Sequence, residues 1–164
     1  MKKLKHYIKE ILIFLILLTV ATNLMSIYKS QSLNTQPLTI KQLELLNHHS
    51  YPIQNDKPII IHFWATWCPV CKVEASNINL LSKYFQVITI AVKSGSDKEI
   101  QTYLQKHGYT YKVVNDRDGK LAQKFHIAGF PTTFIYDKNH TLRFSDVGYT
   151  STIGLFLRTW WASF

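Results

Sequence analysis

Phe63-Trp64-Ala65-Thr66-Trp67-Cys68-Pro69-Val70-Cys71 is the stretch that decides the fold: it holds the only 2 cysteines of the 164-residue chain, three positions apart. The apolar run Ile59 to Trp64 is rich in β-branched and aromatic side chains and reads as a buried strand. Pro69 reads as the first residue of a helix, where its missing N–H costs nothing. Cys68 is therefore expected at a helix N-terminus. There, unpaired backbone N–H groups and the positive end of the helix dipole favour a thiolate over a thiol. Cys71 lies one turn further in, placed to resolve a mixed disulfide, and the pair reads as a centre for thiol–disulfide exchange. A strand-to-helix turn flanked by aromatic residues is expected to expose Cys68 rather than hide it.

Structural zinc sites use the same Cys-x-x-Cys spacing, but they need four ligands. The 7 histidines form no His-x3-5-His arrangement that would supply the rest. The adjacent pair His48-His49 could bind copper or zinc, although such a pair in a loop is more often simply exposed. No metal and no cofactor is expected.

These residues resemble the thioredoxin superfamily. Phe63-Trp64-Ala65-x-Trp67-Cys68-x-x-Cys71 looks like its active-site signature, and Gly129-Phe130-Pro131-Thr132-Thr133-Phe134 looks like its second landmark. Within the superfamily the chain is most similar to the membrane-anchored, extracytoplasmic branch related to TlpA and ResA. Closer still is the group of suppressor-of-copper-sensitivity protein D (ScsD), to which Trp67-Cys68-Pro69-Val70-Cys71 and the ending Thr150 to Ala162 are similar. The resemblance covers roughly Pro37 to the C-terminus. It implies that Pro131 is cis and faces the cysteines, and that backbone from Phe130 to Thr132 pairs with a client chain as an extra strand. Where thioredoxins carry a buried aspartate in the strand before the motif, this chain has His62; where the TlpA-like branch carries a glutamate after the second cysteine, it has Glu74. Either could relay the proton of Cys71. Trp67, Pro69, Val70, Phe130, Pro131 and Thr132 are the expected client-binding residues.

The formal net charge of +9 could suggest nucleic acid, but Lys2, Lys3, Lys5 and Lys9 carry much of it and no basic stripe follows, so nucleic-acid binding is not expected. From Ile11 to Tyr28 the chain carries no Asp, Glu, Lys or Arg. Four domains of sequence follow: a basic cytoplasmic N-terminus (1–10), a transmembrane anchor or cleaved signal peptide (11–28), a polar tether (29–36) and a thioredoxin-like domain (37–164). The lysines before the apolar segment orient it with the N-terminus inside and the domain exported. Thr19-Val20-Ala21 would serve a cleavage site; apolar residues beyond it and the Tyr28-Lys29 end favour an uncleaved anchor. The expected location is a bacterial inner membrane, crossed once, with the catalytic domain in the periplasm.

Beyond the motif, periodicity predicts a helix from Pro69 to about Tyr84 with Val73, Ile78, Leu81 and Phe85 inward, and a central strand at Val87 to Val92. A helix capped at Ser96 or Asp97 and ending near Gly108, a short strand at Tyr111 to Val114 and a brief helix at Lys120 to Phe125 follow. A hairpin (Thr132 to Tyr136 and Thr141 to Val147, turning at Asp137 to His140) leads to a final helix, Thr150 to Trp161, with Ile153, Leu157 and Trp160 on one stripe. Leu38 to Leu46 is expected as a short strand or helical turn, and Asn47 to Ser50 as loop. The order gives an α/β sandwich, a mixed sheet flanked by helices.

The expected function is that of an extracytoplasmic protein-disulfide oxidoreductase. The resemblance implies reduction of exported proteins with oxidised cysteines, electrons arriving from a DsbD-like membrane donor. Two alternatives stand beside it: an oxidase running the same steps backward, and a copper metallochaperone that uses the thiolates as Cu(I) ligands.

Overall fold

In the computed structural model, which describes residues 6–14, 16–17, 20–21, 33, 35–46 and 48–164, the elements run β1 (Gln42–Glu44), β2 (Ser50–Pro52), β3 (Ile59–Trp64), α1 (Pro69–Leu81), β4 (Gln86–Val92), α2 (Asp97–His107), β5 (Lys112–Asp116), α3 (Lys120–Lys124), β6 (Thr132–Tyr136), β7 (Leu142–Val147) and α4 (Thr152–Trp161). β1 and β2 pair as a small antiparallel hairpin; the other strands form a 5-stranded sheet in the order β5-β4-β3-β6-β7. β4 lies parallel to β3 and β5, while β6 is antiparallel to β3 and β7. Every residue of β3 and β4 is buried, which is why both read as unbroken apolar runs: helices cover both faces of a central strand.

Side chains alternate along β3, so Ile60, His62 and Trp64 face one layer and Ile59, Ile61 and Phe63 the other. The first layer contains Cys68, Cys71, Ile78, Ile100, Leu155 and Ala162. The second contains Phe125, Phe134 and Tyr136, together with Leu33, Leu38, Leu43 and Ile53 from the N-terminal side. Local signals set the helix ends. Ser96 and Glu99 form a reciprocal capping box at the start of α2, and Gly108, at φ 67°, closes it in the left-handed region that a side chain would disfavour.

Several expectations are corrected. α1 stops at Leu81, and Val73 is 66% exposed while Glu74 faces inward. At about 100° per residue Val73 sits roughly 200° round from Cys71, whereas Glu74, Ala75 and Ile78 share its face. On α4 the stripe Ile153, Leu157 and Trp160 faces outward, and Leu155 and Thr159 pack against the sheet with Ala162, which caps the helix. Ser50–Pro52 is a strand rather than part of a loop; Asn47 lies outside the described residues.

Leu33 is buried, and the Leu38 N–H donates to the His140 carbonyl at 2.9 Å. The tether expected over 29–36 is thus fastened to the domain at Leu33. Residues 6–14, 16–17 and 20–21 are helical and exposed, and among the described residues no helix is long and apolar enough to cross a membrane. The remainder of the expected anchor 11–28, with Lys2, Lys3 and Lys5, lies outside the described residues.

Candidate active site

Cys68 is the N-cap of α1, in extended backbone conformation, and Pro69 follows as the first helical residue. Cys68 and Cys71 are joined in a disulfide with their Cα atoms 5.3 Å apart. The Cys71 N–H donates to Cys68 Sγ at 3.2 Å. That N–H is one of the donors a helix leaves unpaired at its start, and in the reduced protein it favours negative charge on the same sulfur. Contrary to expectation, Cys68 is only 4% exposed, little more than Cys71 at 2%. In the disulfide-bonded state its sulfur is turned back over the first turn of α1 rather than toward water.

The loop before Cys68 is tied to the end of β4. The Thr66 N–H donates to Ser94 Oγ at 3.0 Å, and Ser94 Oγ donates in turn to the Val92 carbonyl at 3.0 Å. The Trp67 indole N–H donates to the Lys93 carbonyl at 3.2 Å. This fixes Trp67 by its polar edge and leaves the ring 58% exposed, edge-on to Phe130 with centroids 5.6 Å apart. Trp67, Pro69 and Val70 are exposed and Phe130 half-buried, which gives the disulfide an apolar rim.

The Phe130–Pro131 peptide bond is cis. Of the three residues expected to offer backbone to a client, two are already engaged. The Pro131 carbonyl accepts the Gly148 N–H at 2.8 Å, and Thr132 is paired with Phe63 on one side and Val147 on the other. Thr132 Oγ1 donates to the Gly129 carbonyl at 2.8 Å and is buried. The expected strand addition over Phe130 to Thr132 is therefore corrected at Pro131 and Thr132, because β7 and Gly148 already occupy that edge.

Glu74 and His62 are both buried beneath this surface. Glu74 lies one turn beyond Cys71 on the same face of α1. Its Oε1 accepts the Thr150 N–H at 3.0 Å, while Oε2 has no hydrogen-bond partner among the described residues. Burial pushes its pKa up to about 8; the Thr150 N–H works against this, and the charge of Asp146 adds to it. His62 Nδ1 lies 2.9 Å from Thr133 Oγ1, and burial pushes its pKa down to about 3, so the ring is neutral at physiological pH. Sequence reasoning missed Ser94, Thr150, Asp146 and Arg158. Alternation along β7 could have flagged Asp146 as a charged residue on the inward face of Phe144; nothing local marks its pairing with Arg158. His48 Nδ1 bonds Glu44 at 2.8 Å in the loop beside β1, away from the cysteines.

The AhpC/TSA family model matches residues 36–145. A thioredoxin-like protein of Haemophilus influenzae is 31% identical over 128 residues, covering 77% of this chain and 76% of its own length. The thiol-disulfide oxidoreductase ResA of Geobacillus kaustophilus is 27% identical over 149 residues (85% and 86%), and the thiol:disulfide interchange protein DsbE of Escherichia coli K12 is 32% identical over 120 residues (69% and 64%). Among solved structures, StoA from Bacillus subtilis matches with a TM-score of 0.66 at 19% identity, covering 77% of this chain and 99% of that one.

Proposed function

The chain belongs to the AhpC/TSA family and is a thioredoxin-like thiol–disulfide oxidoreductase of the ResA and DsbE type with Cys68 and Cys71 as its pair, and from that premise we propose that it reduces disulfides in exported proteins while held at a membrane by segment 11–28. The observation that carries the chemistry is the disulfide at the start of α1, beside the exposed Trp67 edge and one turn from a buried carboxyl. In the reduced protein the Cys68 thiolate attacks one sulfur of a client disulfide, and the client's other sulfur leaves as a thiolate. Cys71 then gives up its proton and attacks Cys68 Sγ in the mixed disulfide. The client's second thiolate departs and the Cys68–Cys71 disulfide remains; two electrons have passed to the client.

Glu74 is the group placed to take the Cys71 proton and return it. Burial holds its pKa up at about 8, so at neutral pH a minor ionised fraction is available to accept that proton and the protonated form to return it. His62, neutral and bonded to Thr133, serves as the second polar group beneath the site. Trp67, Val70 and Phe130 form the apolar contact for the client, with one backbone bond pair at Phe130.

The reductive direction, a DsbD-like donor and a place among the ScsD-like proteins rest on the resemblance of the Trp67-to-Cys71 motif and of the ending Thr150 to Ala162. The periplasmic location rests on the lysine-led apolar segment. Trapping the thiols of Cys68 and Cys71 in cells, with and without the membrane donor, tests the direction. A pair that is mostly reduced and becomes oxidised when the donor is removed supports the reductase; a pair that is oxidised in both strains supports the oxidase and overturns it.

A further inference from the structure

β3, β4 and β5 start, and β6 ends, at one pole of the sheet: Ile59 is matched with Gln86 on one side and Tyr136 on the other, and Lys112, the first residue of β5, with Ile88. The cysteines lie at the opposite pole, past the end of β3 at Trp64. The chain entering and leaving the first pole carries Lys57, Lys83, Lys106, Lys112 and Lys138, all exposed, against Asp56 and Asp137. Asp137 is engaged already, since its Oδ1 accepts the Asn139 and Thr141 N–H groups at 2.8 and 3.0 Å and Oδ2 faces Arg143 at 4.0 Å. At the cysteine pole, from the ends of β4 and β5 into the helices that follow, charge is balanced: Lys93, Lys98, Arg117 and Lys120 against Asp97, Glu99, Asp116 and Asp118. Aromatic rings gather with the lysines. α4 starts beside the middle of α1, where the Thr150 N–H meets Glu74, and passes Phe85, the residue before β4, at Phe156, the two rings 5.3 Å apart. Its last turn thus comes to the lysine pole. There Trp161 and Phe164 are 63% and 82% exposed, and Trp160, half exposed, stands edge-on to Phe164 at 5.0 Å.

The N-terminal side of the chain joins the domain at this same pole, where the Leu38 N–H bonds the His140 carbonyl in the turn after β6. From Tyr28, the end of segment 11–28, to the buried Leu33 is 5 residues, which span at most about 18 Å. A domain of this size has a radius of gyration of roughly 14 Å, so a tether that short holds one side of the domain against whatever the segment is embedded in. Single exposed apolar side chains are ordinary. Rings collected at one end among unbalanced lysines are what a headgroup layer takes: the rings enter at its depth and the ammonium groups meet phosphates. We infer that the pole carrying Trp160, Trp161, Phe164 and the five lysines is a docking surface for an anionic lipid bilayer. The exposed apolar residues of the cysteine pole, Trp67 and Val70, remain the client rim. Docked this way, the protein turns Cys68 and Cys71 away from the lipid by about the length of β3, roughly 20 Å, toward clients in solution. That the bilayer is the chain's own membrane rests on the proposed anchoring by segment 11–28; the lipid affinity of the pole does not.

The test is tryptophan fluorescence of the full-length chain on vesicles of phosphatidylcholine and phosphatidylglycerol that carry a headgroup nitroxide, which quenches rings at the lipid surface. Quenching is expected in the wild type, to fall at least about twofold when Trp160→Phe and Trp161→Phe are combined, and to persist in Trp67→Phe, whose ring lies at the cysteine pole. Combining Lys57→Gln, Lys83→Gln and Lys138→Gln, or using phosphatidylcholine alone, is expected to weaken it by a similar factor, about twofold. Quenching that survives the double tryptophan variant, that vanishes in Trp67→Phe, or that ignores both the lysines and the lipid charge overturns the proposal. Absence of quenching together with self-association in detergent that the double variant abolishes gives the pole to a second copy of the chain, and overturns it as well. A wash in alkaline buffer at about 1 M salt, where the Debye length is ~3 Å, separates this surface from the anchor. A chain that stays on the vesicles through the wash without quenching at Trp160 and Trp161 keeps the anchor and loses the docking pole. A chain quenched there that washes off loses the anchor and keeps the pole.

Discussion

Replacing Glu74 by Gln should remove a loss of stability that the wild-type protein suffers as pH rises. Burial pushes the folded-state pKa from the usual 4.5 up to about 8. As pH climbs through 4.5 the unfolded chain releases this proton while the folded chain keeps it, so the unfolded state gains and stability falls by up to about 1.4 kcal/mol per pH unit. The fall ends once the folded carboxyl also ionises, near pH 8. Integrated from pH 5 to pH 8 the loss is roughly 3 kcal/mol, a large part of the ~5–15 kcal/mol by which domains are stable. Gln keeps an oxygen to accept the Thr150 N–H and nearly the same volume, and has no proton to lose. Urea unfolding of the disulfide-bonded protein at pH 5, 6, 7 and 8 should give a wild-type stability that declines relative to the variant by that amount. All other titrating groups are common to both chains and cancel in the difference. A difference that does not change with pH would refute the reasoning, because it would mean that Glu74 ionises in the folded protein as it does in the unfolded one.

His62 has the opposite sign: its pKa is pushed down to about 3, so below 6.5 the unfolded chain takes a proton the folded one refuses. His62→Asn should spare a loss of about 3 kcal/mol between pH 6.5 and pH 4, read by the same unfolding series. Trp67→Ala should raise the KM for a protein client several-fold while changing unfolding free energy by less than about 1 kcal/mol, since the ring is 58% exposed; an unchanged KM would remove Trp67 from the client surface.

Much of this was legible in the sequence where a signal is local. The strand-to-helix turn at Cys68, the capping box at Ser96 and Glu99, the end of α2 at Gly108 and the hairpin at Asp137 to His140 each depend on a few neighbouring residues. Helix rotation does not. Val73 was placed inward because it is apolar, yet the face of α1 is set by Cys71 and Ile78, and a carboxyl lies where an apolar residue was expected. β2 was missed because Ser50-Tyr51-Pro52 has no strand pattern of its own and is held only by its pairing with β1. The cysteines could be named from residue type and spacing, and Glu74 and His62 from the resemblance to the thioredoxin family. Their surroundings could not, because Thr133, Asp146, Thr150 and Arg158 reach them only through the sheet register and the packing of α4.

The outward apolar stripe of α4 follows from the same cluster. Counted at about 100° per residue, Ile153, Leu157, Trp160 and Phe164 gather nearly opposite the buried Leu155, Thr159 and Ala162, with Arg158 beside the buried face. On apolar area alone the helix would turn the other way, since the stripe holds larger side chains than the face that packs. Turning it would carry Arg158 into water and leave Asp146, largely buried and already raised in pKa by that burial, without its cation. Breaking a buried pair in this way costs about 3–5 kcal/mol. Thr159 and Ala162, being small, also let the helix approach the sheet closely enough for Arg158 to reach β7. The Asp146–Arg158 pair thus settles the rotation of α4, and the exposed Ile153, Leu157 and Trp160 are what that choice leaves on the surface.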